Sequence, residues 1–295
     1  MRLGLALDLG SAAPVAGQVS TALPLLRTAE AGGIGTVWVG EGYHRTPEPF
    51  HLPAALVVLS HLAARTTLRL GTGVLLLRAY DPVRLGYETA LVDQLSGGRL
   101  TVGVGLGPAE LGTRFGGGAA RADSTLEQLR AAWSRDAVPQ PVSPGGPRLL
   151  VGGATAASAR RAAELADGWC AATNYSDRLL ARQATAYRDR GGTGDVVANR
   201  LCLVHPDGDT ARALADRYFA PVVEYYSRRG LWRSTPDDPA PGPAALVGTP
   251  AEVAADLRRY ADLGVTELNL RVAPFGTPPE VARRTLELAS STAGM

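Results

Sequence analysis

The 295-residue chain contains no lysine, and all 30 of its basic residues are arginine. That excludes a Schiff-base lysine and the lysine of a phosphate-binding P-loop. Its two cysteines, Cys170 and Cys202, stand far apart. Two isolated thiols suit a reducing compartment and cannot make a zinc site alone. The four histidines, His44, His51, His61 and His205, show neither HExxH spacing nor a tight cluster, so no catalytic metal is expected. No serine stands in a GxSxG elbow, which excludes that hydrolase architecture. Apolar runs stay short of about 18 residues, so no membrane span is expected. The first residues lead into a strand-like pattern without a cleavable signal, which predicts a cytoplasmic protein. A formal net charge of +2 predicts no nucleic-acid partner.

What is present is a folded-protein composition, 45% hydrophobic and 20% charged, which argues against disorder. Short apolar runs alternate with helical patterns along the whole chain. The runs at 2–8, 36–40, 68–77, 100–106, 148–152, 168–172, 200–204 and 265–271 read as buried parallel strands. Helical patterns cover 18–32, 51–65, 82–95, 122–135, 155–166, 176–190, 208–228, 250–263 and 279–291. Asp81-Pro82 reads as an N-cap followed by proline at the first helical position. Thr249-Pro250-Ala251-Glu252 reads as a capping box, and Thr277-Pro278-Pro279-Glu280 repeats it. Eight strands alternating with helices predict one α/β domain over residues 1–295, a (β/α)8 TIM-type barrel, with a doubly wound open sheet as the alternative. The Pro- and Gly-rich stretches 136–147 and 230–247 read as loops.

Barrel enzymes build their sites at the C-terminal ends of the strands. That rule selects Asp8, the segment Glu41 to His44, Gly73 to Arg78, Gly105 to Glu110, Gly152 to Thr155, Asn174, His205 and Arg271. Backbone freed of side chains at Gly103-Val-Gly105-Leu-Gly107 lets a flat ring or a phosphate approach closely, although tight strand packing explains the same glycines. Gly152-Gly153-Ala154-Thr155 joins a strand to a helix, where free N–H groups and the helix dipole favour an anion. Thr155 serves equally as a plain N-cap there. An imidazole and a carboxylate at His44 and Glu41 suit acid–base work or the orientation of a ring.

Three blocks carry a resemblance. One runs from Leu70-Gly-Thr-Gly-Val74 through Asp81-Pro82 to Leu95-Ser-Gly-Gly-Arg-Leu-Thr-Val-Gly-Val-Gly-Leu-Gly107. The second runs from Leu150-Val-Gly-Gly-Ala154 to Ala163-Glu-Leu-Ala-Asp-Gly-Trp169. The third runs from Val247-Gly-Thr-Pro-Ala-Glu-Val253 to Tyr260-Ala-Asp-Leu-Gly-Val265. In order and spacing the chain resembles the bacterial luciferase-like monooxygenases, a family that includes enzymes using the deazaflavin F420. The resemblance implies a barrel with a flavin-like ring across its strand ends. It implies a non-proline cis peptide bond supporting the ring, at Gly73-Val74 here. Asp8, Glu41, Gly73, Val74, Gly105, Leu106, Gly107, Gly152, Gly153, Ala154 and Thr155 become the candidate cofactor contacts, with the phosphate at Gly152-Gly153.

Relatives commonly place His directly after the acidic residue of the second strand. Here Gly42 follows Glu41, so that role is either lost, displaced to His44 or passed to Tyr43. Glu110 is the third candidate for proton transfer, two residues later than in F420 relatives. The resemblance implies first an F420-dependent hydride transfer to or from C=C, C=N or C=O of a small-molecule or peptide-derived substrate. The alternative is an FMN-dependent monooxygenase fed by a flavin reductase. A third reading is a barrel that binds without catalysing. The resemblance also implies a homodimer.

Overall fold

The computed structural model describes residues 1–11, 13–43, 52–115, 122–134, 139–236, 238, 244–274 and 276–292. Eight strands close a parallel barrel: β1 (Arg2–Leu7), β2 (Thr36–Val39), β3 (Arg69–Leu76), β4 (Leu100–Gly105), β5 (Arg148–Gly152), β6 (Gly168–Ala171), β7 (Asp195–Val204) and β9 (Glu267–Arg271). β6 pairs with β7, β7 with β9, and β9 with β1, which completes the ring. The expected TIM-type barrel is therefore the fold, and the open sheet is not.

Around it lie α1 (Val15–Ala31), α2 (Ala55–Ala63), α3 (Pro82–Ser96), α4 (Ala109–Phe115), α5 (Ala122–Ala132), α6 (Ala156–Leu165), α7 (Asp177–Arg188), α8 (Gly208–Arg228), α9 (Pro250–Asp262) and α10 (Pro279–Thr292). The helix starts obey the local chemistry. Asp81 accepts from the Arg84 N–H with Pro82 at the first position, and Thr249 and Glu252 form the capping box.

Three elements depart from the sequence expectation. β7 begins at Asp195, five residues before the expected run at 200–204, because Asn199 interrupts the apolar pattern ahead of it. A ninth strand, β8 (Ala245–Gly248), stands where the 230–247 loop was expected. It pairs with Leu201–Val204 of β7, on the edge opposite β9 and past Ala198 where the β6 pairing ends, so it extends the sheet outside the closed ring. Leu201 and Leu203 there pack on Ala211, Ala215, Phe219 and Val222 of α8 in a separate apolar cluster. α4 is the third departure, formed directly after Pro108 where no helical pattern was expected.

The lower barrel is filled by one large side chain. Trp38 of β2 lies where Gly4, Gly71 and Gly103 have none: a Cβ at Gly71 would stand 2.4 Å from its indole, and one at Gly4 3.0 Å from its Nε1. The indole N–H donates to Glu267 Oε1 at 2.8 Å, and Arg2 Nε bonds the other oxygen at 3.2 Å. At the same lower end, Arg99 of the Ser-Gly-Gly-Arg block donates to the carbonyls of Ala63, Thr66, Leu68 and Ser96. That motif ties α2, α3 and β3 together, so its arginine holds the fold, at the end of the barrel remote from the chemistry.

Candidate active site

Above Trp38, at the C-terminal ends of the strands, a cavity of about 410 Å³ opens. Asp8, Gly73, Val74, Gly105, Leu106, Gly107, Gly152, Gly153, Ala154 and Thr155 all line it, so ten of the eleven candidate cofactor contacts meet in one place. The Gly73–Val74 peptide bond is cis, as the resemblance implied. Along one wall the glycines bare the backbone. A Cβ at Gly105 would stand 3.1 Å from Val74, and one at Gly152 3.2 Å from Cys170 Sγ. Gly107 adopts φ 74°, a left-handed value that favours glycine.

The cradle ends at the start of α6. Thr155 is its N-cap, accepting from the Ser158 N–H at 3.2 Å, and Ser158 Oγ accepts in return from the Thr155 N–H at 3.1 Å. The next two N–H groups, of Ala156 and Ala157, have no acceptor within the helix. Arg161 and Ser158 line the cavity beside them. This corner is the part of the site suited to an anion.

Glu41, the eleventh candidate, sits behind the wall and does not line the cavity. Its buried carboxylate accepts from the Leu76 N–H at 2.7 Å, the Tyr80 hydroxyl at 2.6 Å and the Tyr43 hydroxyl at 3.2 Å. It thus clamps the end of β2 to the end of β3. Burial pushes its pKa up, against the lowering effect of those hydrogen bonds. Tyr43 and Tyr80 hydroxyls lie 2.9 Å apart. Burial, with Glu41 alongside, pushes Tyr43 up to about 12.

Glu110 is exposed on the first turn of α4 and outside the cavity lining. The turn at Gly107-Pro108 starts the helix there and faces the carboxylate to solvent. His44 lies outside the described residues. Cys170 lines the cavity, and burial pushes its thiol up to about 12, away from thiolate chemistry.

The opposite wall is polar. Asp8 and Arg271 form an ion pair with side chains only 4% and 5% exposed, and Arg271 Nε bonds Asp8 Oδ2 at 3.1 Å. Arg271 also donates to Thr173 and Tyr226, each at 3.3 Å. Below this pair lie Asn269 of β9 and Asn199 of β7. Neither asparagine was singled out from the sequence. The signal was there: Glu267-Leu-Asn-Leu-Arg271 alternates polar and apolar residues, placing three polar side chains on the inner face.

With fold and site in hand, the chain compares with known proteins as follows. A family model described as luciferase-like monooxygenase matches residues 1–267, and the chain belongs to that family. Solved structures with this fold include a monooxygenase with FMN and F420-dependent enzymes. It is similar to the monooxygenase RslO1 from Streptomyces bottropensis, with 26% identity, TM-score 0.81, and 99% and 98% of the two chains covered.

At identities that show the fold alone, it matches two further structures. One is the oxygenating constituent of 3,6-diketocamphane monooxygenase from Pseudomonas putida with FMN (17% identity, TM-score 0.81, 99% and 97% covered). The other is an F420-dependent tetrahydromethanopterin reductase from Methanopyrus kandleri (14%, TM-score 0.72, 99% and 97%). Curated relatives include a Mycobacterium bovis protein, Mb0978c, 32% identical over 148 residues, or 43% of this chain and 50% of that one. The oxygenase component of a flavin-dependent trigonelline monooxygenase from Acinetobacter baylyi is 33% identical over 86 residues, 29% of this chain and 23% of that one. The chain spans half or less of the length of these two relatives. Among the described residues no helix is long and apolar enough to cross a membrane.

Proposed function

We propose that the protein is the oxygenase component of a two-component flavin monooxygenase. It would take reduced FMN from a partner flavin reductase and act on a small organic or peptide-derived substrate. The observation that carries this reading is the two-part wall of the cavity. Bare backbone at Gly73, Gly105 and Gly152 leaves room for a flat ring, and a Cβ at Gly105 or Gly152 would press on Val74 or Cys170. At its end the α6 N-terminus, Ser158 and Arg161 suit the phosphate.

When bound, reduced FMN supplies the reaction with oxygen and the transfer of an oxygen atom to the substrate. The chain's own residues do the rest. Val74, Leu76, Val104, Leu106 and Val151 keep the ring's surroundings apolar and hold water away. Glu41 fixes the Val74–Leu77 wall through the Leu76 N–H. The choice of FMN over F420 rests on Glu110 facing away from the cavity, and on the closer overlay with monooxygenases than with the F420-dependent reductase.

A second reading keeps F420 and hydride transfer. The Tyr43–Tyr80–Glu41 trio favours it, as a hydrogen-bonded proton store beside the wall. The test is a parallel titration with FMN and F420, oxidised and reduced, followed by the fluorescence of Trp38 in the cavity floor. Micromolar binding of reduced FMN, with oxygen uptake once a reductase and candidate substrates are added, supports the proposal. Binding of F420 alone reverses it.

A further inference from the structure

We propose that Asn199 and Asn269 form the substrate-recognition pair of this cavity, and that they receive a neutral, planar donor–acceptor edge of the kind a lactam or imide carries. The proposal rests on reading the cavity as the reaction site.

The two residues are register partners on adjacent parallel strands, so their side chains stand side by side on the inner face. Both line the cavity. Asn269 is 4% exposed, and the carboxamide oxygens of both are buried without a partner among the described residues. A buried polar oxygen left so carries its desolvation penalty uncompensated, so a pair of them in a folded barrel needs a reason.

The neighbours sharpen the point. Of the three inward side chains of β9, the lower, Glu267, is bonded to Trp38 and Arg2. The upper, Arg271, is bonded to Asp8, Thr173 and Tyr226. Only the middle one lacks a partner for its oxygen. Gly4, the register partner of Asn269 on β1, makes room for the carboxamide itself: a Cβ there would stand 2.2 Å from Asn269 Oδ1.

The chemistry follows. A carboxamide offers an acceptor on one side and two donors on the other, and a half-turn about its terminal bond exchanges them. Two of them in register therefore match an edge with an N–H beside a C=O. The partner is neutral because this wall holds no spare charge: Asp8 and Arg271 neutralise each other, and Glu267 is engaged by Arg2. A charged group brought there would lose water without gaining a counter-ion. Trp38 below and Val197 beside the pair set an apolar border that suits a flat ring.

Flavins carry an imide edge too, so the test separates substrate from cofactor. Phthalimide is compared with N-methylphthalimide, which keeps both carbonyls and loses the N–H, by ligand-detected NMR on the full-length protein. FMN affinity is measured in parallel. Wild type is expected to bind phthalimide at least about tenfold more tightly, the size of one hydrogen bond to a buried group. Asn199→Leu and Asn269→Leu are each expected to abolish that preference while FMN affinity stays within about twofold.

Equal binding of the two imides by wild type would overturn the proposal without any variant being needed. So would variants that keep the preference, as expected if the asparagines serve only water. Loss of FMN affinity in step with phthalimide would assign the pair to the cofactor and overturn it as well. If wild type binds phthalimide selectively but neither FMN nor F420, the recognition pair stands and the cofactor reading fails.

Discussion

Removing Asp8 tests the polar wall most directly. The Asp8→Ala variant leaves the Arg271 guanidinium, 5% exposed, with only Thr173 and Tyr226 as side-chain acceptors, each at 3.3 Å. Breaking a buried ion pair from one side costs about 3–5 kcal/mol, because a charge remains without its counter-ion. The cavity beside Arg271 admits water, so the lower figure, about 3 kcal/mol, applies. Unfolding entropy of about 2.1 cal/mol/K per residue, taken over 295 residues, comes to about 0.6 kcal/mol/K. The expected fall in Tm is therefore about 5 °C, read by circular dichroism or calorimetry. The double variant Asp8→Ala/Arg271→Met has no orphan charge and should recover to within about 1 kcal/mol of wild type. A single variant that loses under about 1 °C, or a double variant as unstable as the single, would refute the reasoning.

Gly153→Asp should weaken FMN binding at least about tenfold, since it sets a carboxylate at the anion corner and its Cβ would stand 2.6 Å from Ser158; unchanged affinity in a fluorescence titration moves the phosphate elsewhere. Glu41, with its pKa raised by burial, holds a proton in the folded state over a range where the unfolded chain has lost it. Stability should therefore fall as pH rises from near its ordinary value of 4.5 through the raised one. Glu41→Gln should flatten that part of the Tm–pH curve, and an unchanged slope would remove Glu41 as its cause. On α3, Val83, Tyr87, Leu91 and Leu95 recur every fourth residue and are 62%, 52%, 36% and 63% exposed. That apolar stripe fits the homodimer implied by the family resemblance. Leu95→Asp should shift the mass seen by light scattering from dimer to monomer, whereas a monomeric wild type would dismiss the interface.

Most of the barrel was legible because six of its strands are nearly unbroken apolar runs, as strands covered on both faces must be. β7 looked five residues too short because Asn199 broke its apolar pattern, and Asn199 lines the cavity. β8 was lost in a Pro- and Gly-rich stretch since four residues pairing on one side only leave little periodicity. The glycine wall was readable, for backbone exposure has a compositional signature. The polar wall was readable only in part: Asp8 and Arg271 stood out at strand ends, whereas Asn199 and Asn269 did not, because residues from β1, β7 and β9 meet only when the ring closes. Glu41 was expected as a cofactor contact, but its acceptor atoms turn behind the cavity wall to Leu76, Tyr80 and Tyr43, a direction no spacing encodes. Glu110 faces outward for a similarly local reason, the helix that begins beyond Pro108.

The indole of Trp38 has a consequence for how such a pocket changes over generations. Gly71 and Gly103 are bound to it and to each other's strands: a methyl group at Gly103 would meet the Thr72 carbonyl at 2.2 Å, and one at Gly71 the indole at 2.4 Å. No single exchange in that set is neutral, so the floor is inherited as a block. The rim obeys no such constraint, since Ala154, Leu52 and Tyr226 each border the cavity from different loops and helices. New substrate preferences should accumulate at the mouth, one residue at a time, over a base that drifts hardly at all.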